Sequence, residues 1–463
     1  MDKEKIYQIY DWYTYDEEID DYSDSDSDND LQITNKFIAY MFCITENGEN
    51  VSIKVENFTP FFWIELPNNW KEHWTMPFMN NIQSKLPKSV RGEFLTNRSL
   101  KQSLRYRYKF GGYQWGKKRP FLQLVFLSEN CLGRAYYLLK KPYNYSQANL
   151  FNHKFPIYEK NIPPILRLIH LRNLNPSSWI KLGNTARLIN SSVAETNFKY
   201  NYTVNWKDIH KVEKDSIGLL KIASFDIEAD SSHGDFPVAK KDYYKLAMNI
   251  YDESQRLKKN KKRICPAFIK RWIKAAFREY TQTTFDINIK SSIHNIILKD
   301  PSKLTFDDLE DVSNNCYREL AKQDSKTGKE IVSSLTEILN NSFPEVQGDK
   351  VIQIGTVLNQ YGNEQNSIIR HIVTLGGCNS IENATVICCK TVKELIIEWV
   401  KFLNKVQPNI LTGYNINGFD FKFLWDCAEE FNCKNILENL GAFKYKNSQF
   451  VVKELSSAAL GHI

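Results

Sequence analysis

The sequence predicts an α/β chain of two domains: a β-rich N-terminal domain over residues 1–215, then a domain of alternating strands and helices over 216–463, interrupted at 239–348 by a helical insertion. Three observations predict it. Aromatic and β-branched runs broken by turn residues fill the first part, two short apolar strands leading into carboxylates bracket the second, and between those strands lies a long stretch of helical periodicity.

At 463 residues the chain is long enough for two or three domains with sizeable cores. No apolar stretch approaches the roughly 20 residues of a membrane span, and the charged, aromatic start from Met1 to Tyr10 is unlike a signal peptide, so no membrane partner and an intracellular location are expected. Nine cysteines without a CxxC pair favour buried free thiols over disulfides or a zinc site. The net charge of +7 is segregated: Asp16 to Asp30 holds nine acidic and no basic residues, leaving 61 basic against 45 acidic elsewhere, a balance of +16. Such a body suits a polyanionic partner, although a solvated lysine-rich surface would look the same.

In chain order, the acidic tract at 16–30 cannot bury enough apolar surface to fold and is expected to be a disordered loop or tail. Phe37 to Ile44, a turn at Glu46-Asn47-Gly48, and Val51 to Val55 predict a hairpin, followed by an aromatic strand from Pro60 to Ile64. Arg105 to Arg119 interleaves Arg and Lys with Tyr, Phe and Trp. That pattern can neutralise phosphates while stacking on bases, but a hairpin turning at Gly111-Gly112 with its aromatics packed on one face is favoured. Leu219 to Phe225 is a short buried strand running into Asp226-Ile227-Glu228. The insertion has helical periodicity over Tyr243 to Gln255, Pro266 to Tyr280, Asp307 to Lys322 and Glu330 to Asn340, and its span from Arg256 to Lys274 carries nine basic and no acidic residues, suiting either a DNA backbone or solvent. Strands at Val351 to Val357, Ile369 to Gly376 and Val386 to Cys389, a helix at Val392 to Leu403, a strand from Ile410 to Tyr414 and a helix carrying Phe419, Asp420, Phe423 and Leu424 complete the order.

The carboxylates carry the chemistry. Strand alternation puts Asp226 and Glu228 on one face, where both can reach a divalent ion. Placing like charges side by side is expensive unless a cation compensates them. Asp420, in the first turn of its helix, meets the positive end of the dipole. Each motif alone is matched about equally well by an ordinary strand end or strand-turn-helix connection.

Together, "FDIE" and "TGYNINGFD", the "FTPFF" strand at Phe58 to Phe62 and the "NLNPSSWI" stretch at Asn173 to Ile180 resemble the N-terminal and 3′→5′ proofreading exonuclease regions of a family B DNA polymerase, delta-like and of the kind found in large DNA viruses. The resemblance implies an RNase H-like (DnaQ-type) exonuclease domain, a mixed β-sheet flanked by helices. It implies a two-metal Mg2+ site held by Asp226, Glu228 and Asp420 as catalytic carboxylates, with Asn415, Phe419 and Tyr414 contacting nucleic acid. It implies DNA as partner, as a single-stranded 3′ end or primer-template, in the nucleus or a viral replication compartment.

The family's third motif, a Tyr and an Asp, has no match after Asp420: Tyr445 is followed by Ser448 and Gln449 where an Asp is needed. The polymerase palm motifs are also absent. The expectation is therefore an N-terminal portion, incomplete for both activities, whose partner is a separate or downstream-encoded polymerase portion and, through it, a sliding clamp. Two alternatives stay open: a non-catalytic DNA-binding or assembly subunit of a split polymerase, and a stand-alone DEDD-type exonuclease.

Overall fold

The structure, a computed structural model, describes residues 5–19, 34–109, 111–231, 236–322, 326–362 and 368–451 and the backbone of two short strands, Ser456–Ser457 and Gly461–His462. The chain forms two compact units, Met1–Lys221 with Gln360–Glu364 and Ala442–Tyr445, and Ile222–Asn359 with Gln365–Gly441 and Lys446–Ile463.

The first unit holds a seven-stranded sheet in the order Arg187–Leu188, Tyr200–Asn205, Asn50–Glu56, Thr34–Ile44, Ile6–Ile19, Trp179–Leu182 and Ile209–Lys211. Neighbours are antiparallel except Tyr200–Asn205, which runs parallel to Asn50–Glu56. The hairpin expected around Asn47-Gly48 is present: Gly48 has φ +78°, and an added Cβ would lie 2.4 Å from the Leu219 carbonyl oxygen, so only glycine fits. Phe61–Glu65 joins a separate four-stranded sheet, Leu104–Arg107, Arg119–Val125, Phe61–Glu65 and Ile157–Tyr158, whose core is closed by the helices Thr75–Lys85 and Glu129–Lys140.

Two expectations are corrected here. Asp16 to Ile19, assigned to the disordered acidic tract, belong to the long strand Ile6–Ile19 and pair with Thr34 to Phe37; residues 20–30 lie outside the described residues. The acidic side chains have partners that composition cannot reveal. The Asp16 carboxylate accepts the backbone N–H groups of Glu129 and Asn130, both at 2.9 Å, at the start of a helix, and Glu17 pairs with Lys54 at 2.5 Å. The second correction concerns the Arg105 to Arg119 segment. Its strands do form a hairpin, but its described aromatics stand in solvent instead of packing on one face, because beyond Arg107 the loop leaves the sheet.

The second unit is built on a mixed five-stranded sheet in the order Ala384–Cys389, Ile369–Leu375, Val351–Gln360, Lys221–Ala229, Ile410–Thr412. Ile369–Leu375 runs antiparallel to Val351–Gln360 and parallel to Ala384–Cys389, and Ile410–Thr412 runs parallel to Lys221–Ala229. The helices Val392–Val406 and Asp420–Glu430 cover it through a core of Phe225, Trp399, Leu403, Phe423 and Leu424. The segment between the first two strands in sequence folds as the helices Tyr244–Lys259, Pro266–Ala276, Ile287–Ser292, Leu309–Leu320 and Gly328–Ser342 around a separate core that includes Trp272, Phe277 and Leu335. Its ends meet: the Asp349 amide donates to the Val238 carbonyl at 2.9 Å, and a Cβ on Gly348 would strike the Ala239 carbonyl oxygen at 1.8 Å. All nine cysteines are free, with only Cys265, Cys378 and Cys388 exposed.

Candidate active site

The strand Lys221–Ala229 alternates strictly through its carboxylate segment. Ala223, Phe225 and Ile227 are buried, while Ser224, Asp226 and Glu228 face outward. The strand is two residues out of step with the expectation: it begins at Lys221 and continues past both carboxylates, because pairing within the sheet carries it beyond its apolar run. Phe225 anchors it from below, its ring 5.0 Å from Trp399 and 5.3 Å from Phe421. Trp399 is itself held by a hydrogen bond from its indole N–H to Thr356 Oγ1 at 3.1 Å. One aromatic contact thus ties the strand to each covering helix, so its register against Asp420 is set by packing.

The Asp420 end is built by a tight loop. Asn415 takes a left-handed conformation, φ +53°, and its carbonyl accepts the amides of Gly418 and Phe419 at 2.9 and 3.1 Å. At Gly413 a Cβ would lie 2.4 Å from the Phe225 carbonyl oxygen, so glycine lets the loop pass against the Asp226 strand. Asp420 opens the helix Asp420–Glu430, only 3% exposed, and accepts the Ile227 N–H at 3.3 Å. Burial pushes the Asp420 carboxyl above the usual carboxylate range, and the neighbouring Asp226, close enough for a hydrogen bond between the two side chains, adds like-charge repulsion.

The structure therefore brings Asp226 and Asp420 together. Glu228 shares their face but stands two strand residues on, about 7 Å along the strand, and is exposed. Among the described residues no three His, Cys, Asp or Glu side chains gather as a metal-holding cluster. Asp226 and Glu228 are both exposed, and only Asp420 is buried. The donor set nonetheless suits a hard divalent cation: a buried carboxylate raised by burial and by a like-charged neighbour is the arrangement that oxygen-liganded Mg2+ relieves.

Of the residues expected to touch nucleic acid, Tyr414 is 93% exposed at the loop tip, Asn415 is exposed, and Phe419 is half-buried beside Asp420. Sequence reasoning missed Phe236, whose ring lies 5.0 Å from Phe419 although it is itself 71% exposed. Phe236 lies in the stretch Gly234-Asp235-Phe236-Pro237 shortly after the carboxylate segment, and nothing in that local pattern shows that it meets Phe419.

Residues 155–292 and 311–461 match the family described as "DNA polymerase family B, exonuclease domain". The DNA polymerase of Pyramimonas orientalis virus is 28% identical over 487 residues, 99% of this chain and 39% of the viral protein. The DNA polymerase of Phaeocystis pouchetii virus is 28% identical over 93% of this chain and 47% of its own length. The DNA polymerase delta catalytic subunit of Drosophila melanogaster is 39% identical over 121 residues, 26% of this chain and 11% of that protein. Among solved structures, the family B DNA polymerase of the archaeon Pyrobaculum calidifontis covers 93% of this chain and 33% of its own at 12% identity and a TM-score of 0.42. The chain spans less than half the length of the two viral relatives. With the family match extending over more than half of its length, the chain belongs to the family B DNA polymerases, in the region that carries their exonuclease domain.

Proposed function

We propose that this chain is the exonuclease-bearing part of a replicative family B DNA polymerase and that its face around Asp226 serves metal-dependent 3′→5′ hydrolysis of a DNA end. The observation that carries the reading is Asp420, a carboxylate buried at the head of a helix directly beside Asp226. Such an arrangement costs stability unless a cation is to be bound.

Divalent magnesium, when bound, supplies a polarised water and charge neutralisation at the scissile phosphate. The chain's own groups do the rest. Asp226 and Asp420 would hold the cation, and Glu228, two residues further along the same strand face, would complete the set as the cation binds. Phe419 and Phe236 offer an apolar slot for the terminal base, while Tyr414 and Asn415 project from the loop toward the strand leading into it. The proposed setting is DNA replication, nuclear or in a viral replication compartment, with primer-template DNA, a palm-bearing polymerase portion and a sliding clamp as partners.

Two measurements test the site. A 5′-labelled single strand incubated with the chain and Mg2+ should be shortened from its 3′ end only slowly, since no Tyr-and-Asp third motif follows Asp420 in this sequence, and Asp226→Ala should abolish what activity there is. Mn2+ binding followed by electron paramagnetic resonance should weaken in Asp226→Ala and in Asp420→Asn. Unchanged Mn2+ affinity in both variants would remove the proposed site.

A further inference from the structure

The strand Leu104–Arg107 forms the free edge of the four-stranded sheet and is joined to Arg119–Val125 by the loop spanning 108–118. Between Glu93 and Glu129 the chain carries eight basic residues and no acidic one. Little within the fold neutralises them. Lys109 pairs with Glu65 at 2.8 Å, but Arg105, Arg107, Lys117 and Lys118 are exposed, and Arg105 beside Arg98 depresses the Arg98 pKa further after burial has lowered it.

The rings of this segment are just as unspent. Tyr113 is 81% exposed and Trp115 78%. They meet each other in a T-shaped contact at 5.0 Å. The loop beneath them is tied down: Gln114 accepts the Lys109 N–H at 2.7 Å and donates to the Lys109 carbonyl at 2.9 Å, and the Tyr108 hydroxyl donates to the Gly116 carbonyl at 3.2 Å. Trp115 sits at φ +52°, a left-handed conformation that costs an ordinary residue about 1–2 kcal/mol. A strained backbone that holds a large ring in water is the kind of outlier that points to function.

We infer that this hairpin is a docking surface for single-stranded DNA, with Tyr113 and Trp115 stacking on bases and Arg105, Arg107, Lys117 and Lys118 pairing with phosphates. The chemistry selects that occupant. Stacking needs open base faces, which a duplex hides, and interleaved cations need a polyanion. Protein interfaces also favour Tyr, Trp and Arg but deplete lysine, and eight cations without one carboxylate between Glu93 and Glu129 call for a polyanion. The inference deepens the reading that the chain handles DNA, but it is independent of the carboxylates.

The test is fluorescence anisotropy with a labelled dT20 strand in EDTA, so that hydrolysis plays no part, using the full chain with Asp226→Ala. Changing Tyr113→Ala with Trp115→Gly, the glycine being at ease at that φ, should weaken dT20 binding about 10- to 100-fold without lowering the melting temperature. Changing Lys117→Ala with Lys118→Ala should reduce the slope of log affinity against log salt by about 1.4. A duplex of equal length should bind more weakly and ignore the aromatic change. The inference is overturned if the aromatic variant binds dT20 as the parent does, if duplex and single strand bind alike, or if the hairpin associates with phosphatidylserine vesicles and not with dT20. Aromatic-independent dT20 binding would leave the DNA-handling reading intact, whereas no dT20 binding at all would remove both.

Discussion

Asp420 concentrates in one side chain the conflict between folding and the proposed function. Its carboxylate is buried, raised by that burial, and set beside Asp226, so without a compensating cation it costs stability. Asparagine keeps the shape and can still accept the Ile227 N–H through Oδ1 while losing the charge. Asp420→Asn measured in EDTA should therefore raise stability by about 1 kcal/mol, or about 2–4 °C in melting temperature, while nuclease activity falls. A lower or unchanged melting temperature would mean that the pair is not under electrostatic strain. The residue pattern was legible because strand alternation and a helix start are local rules: Asp226, Glu228 and Asp420 could be named before their surroundings were known. That Asp226 and Asp420 would meet while Glu228 stood apart was not legible, since side-chain separation across 194 positions depends on packing.

At the scale of elements, the strand Ile369–Leu375 and the helix Val392–Val406 are joined by an unusual contact. His371 is 4% exposed and stacks on Phe402, with ring centroids at 3.9 Å and planes 5° apart, and among the described residues its Nδ1 has no hydrogen-bond partner. Burial lowers its pKa below the usual 6.5. The folded form thus binds this proton less readily than the unfolded chain. Above pH 6.5 the ring is neutral in both and costs nothing; as pH falls below 6.5 toward the depressed folded value, stability is lost by at most about 1.4 kcal/mol per pH unit. His371→Phe, which retains the stack, should lose less stability than the parent between pH 7.5 and 5.5, as followed by urea denaturation. Equal losses would assign no role to this ring. Element order was well predicted, because apolar periodicity and turn residues act locally: the insertion helices expected at Tyr243 to Gln255 and Glu330 to Asn340 are found at Tyr244–Lys259 and Gly328–Ser342. The acidic strand at Asp16 to Ile19 was missed because its stabilising partners, Lys54 and the helix at Glu129, are remote in sequence.

At the scale of the molecule, the insertion enters and leaves at one point beside Val238 and Asp349 and packs around its own core, which shares no residue with the core under the Asp226 strand. Two ion pairs between them, Lys299 with Glu430 and Lys240 with Glu429, are of the kind that contribute about 0–1 kcal/mol each. Replacing Ala239 to Gly348 by a short Gly-Ser linker should therefore leave a chain that unfolds cooperatively with its strand content retained, as seen by circular dichroism and thermal melting; aggregation or loss of cooperativity would show that the insertion is structural. The sequence by itself determined the family and the order of strands and helices, and it singled out three carboxylates as candidates, because each rests on local pattern. Tertiary structure alone decided which carboxylates meet, that Phe236 joins Phe419, that the acidic tract begins as a strand, and that Tyr113 and Trp115 face solvent, because exposure and proximity are set by packing between residues far apart in the chain.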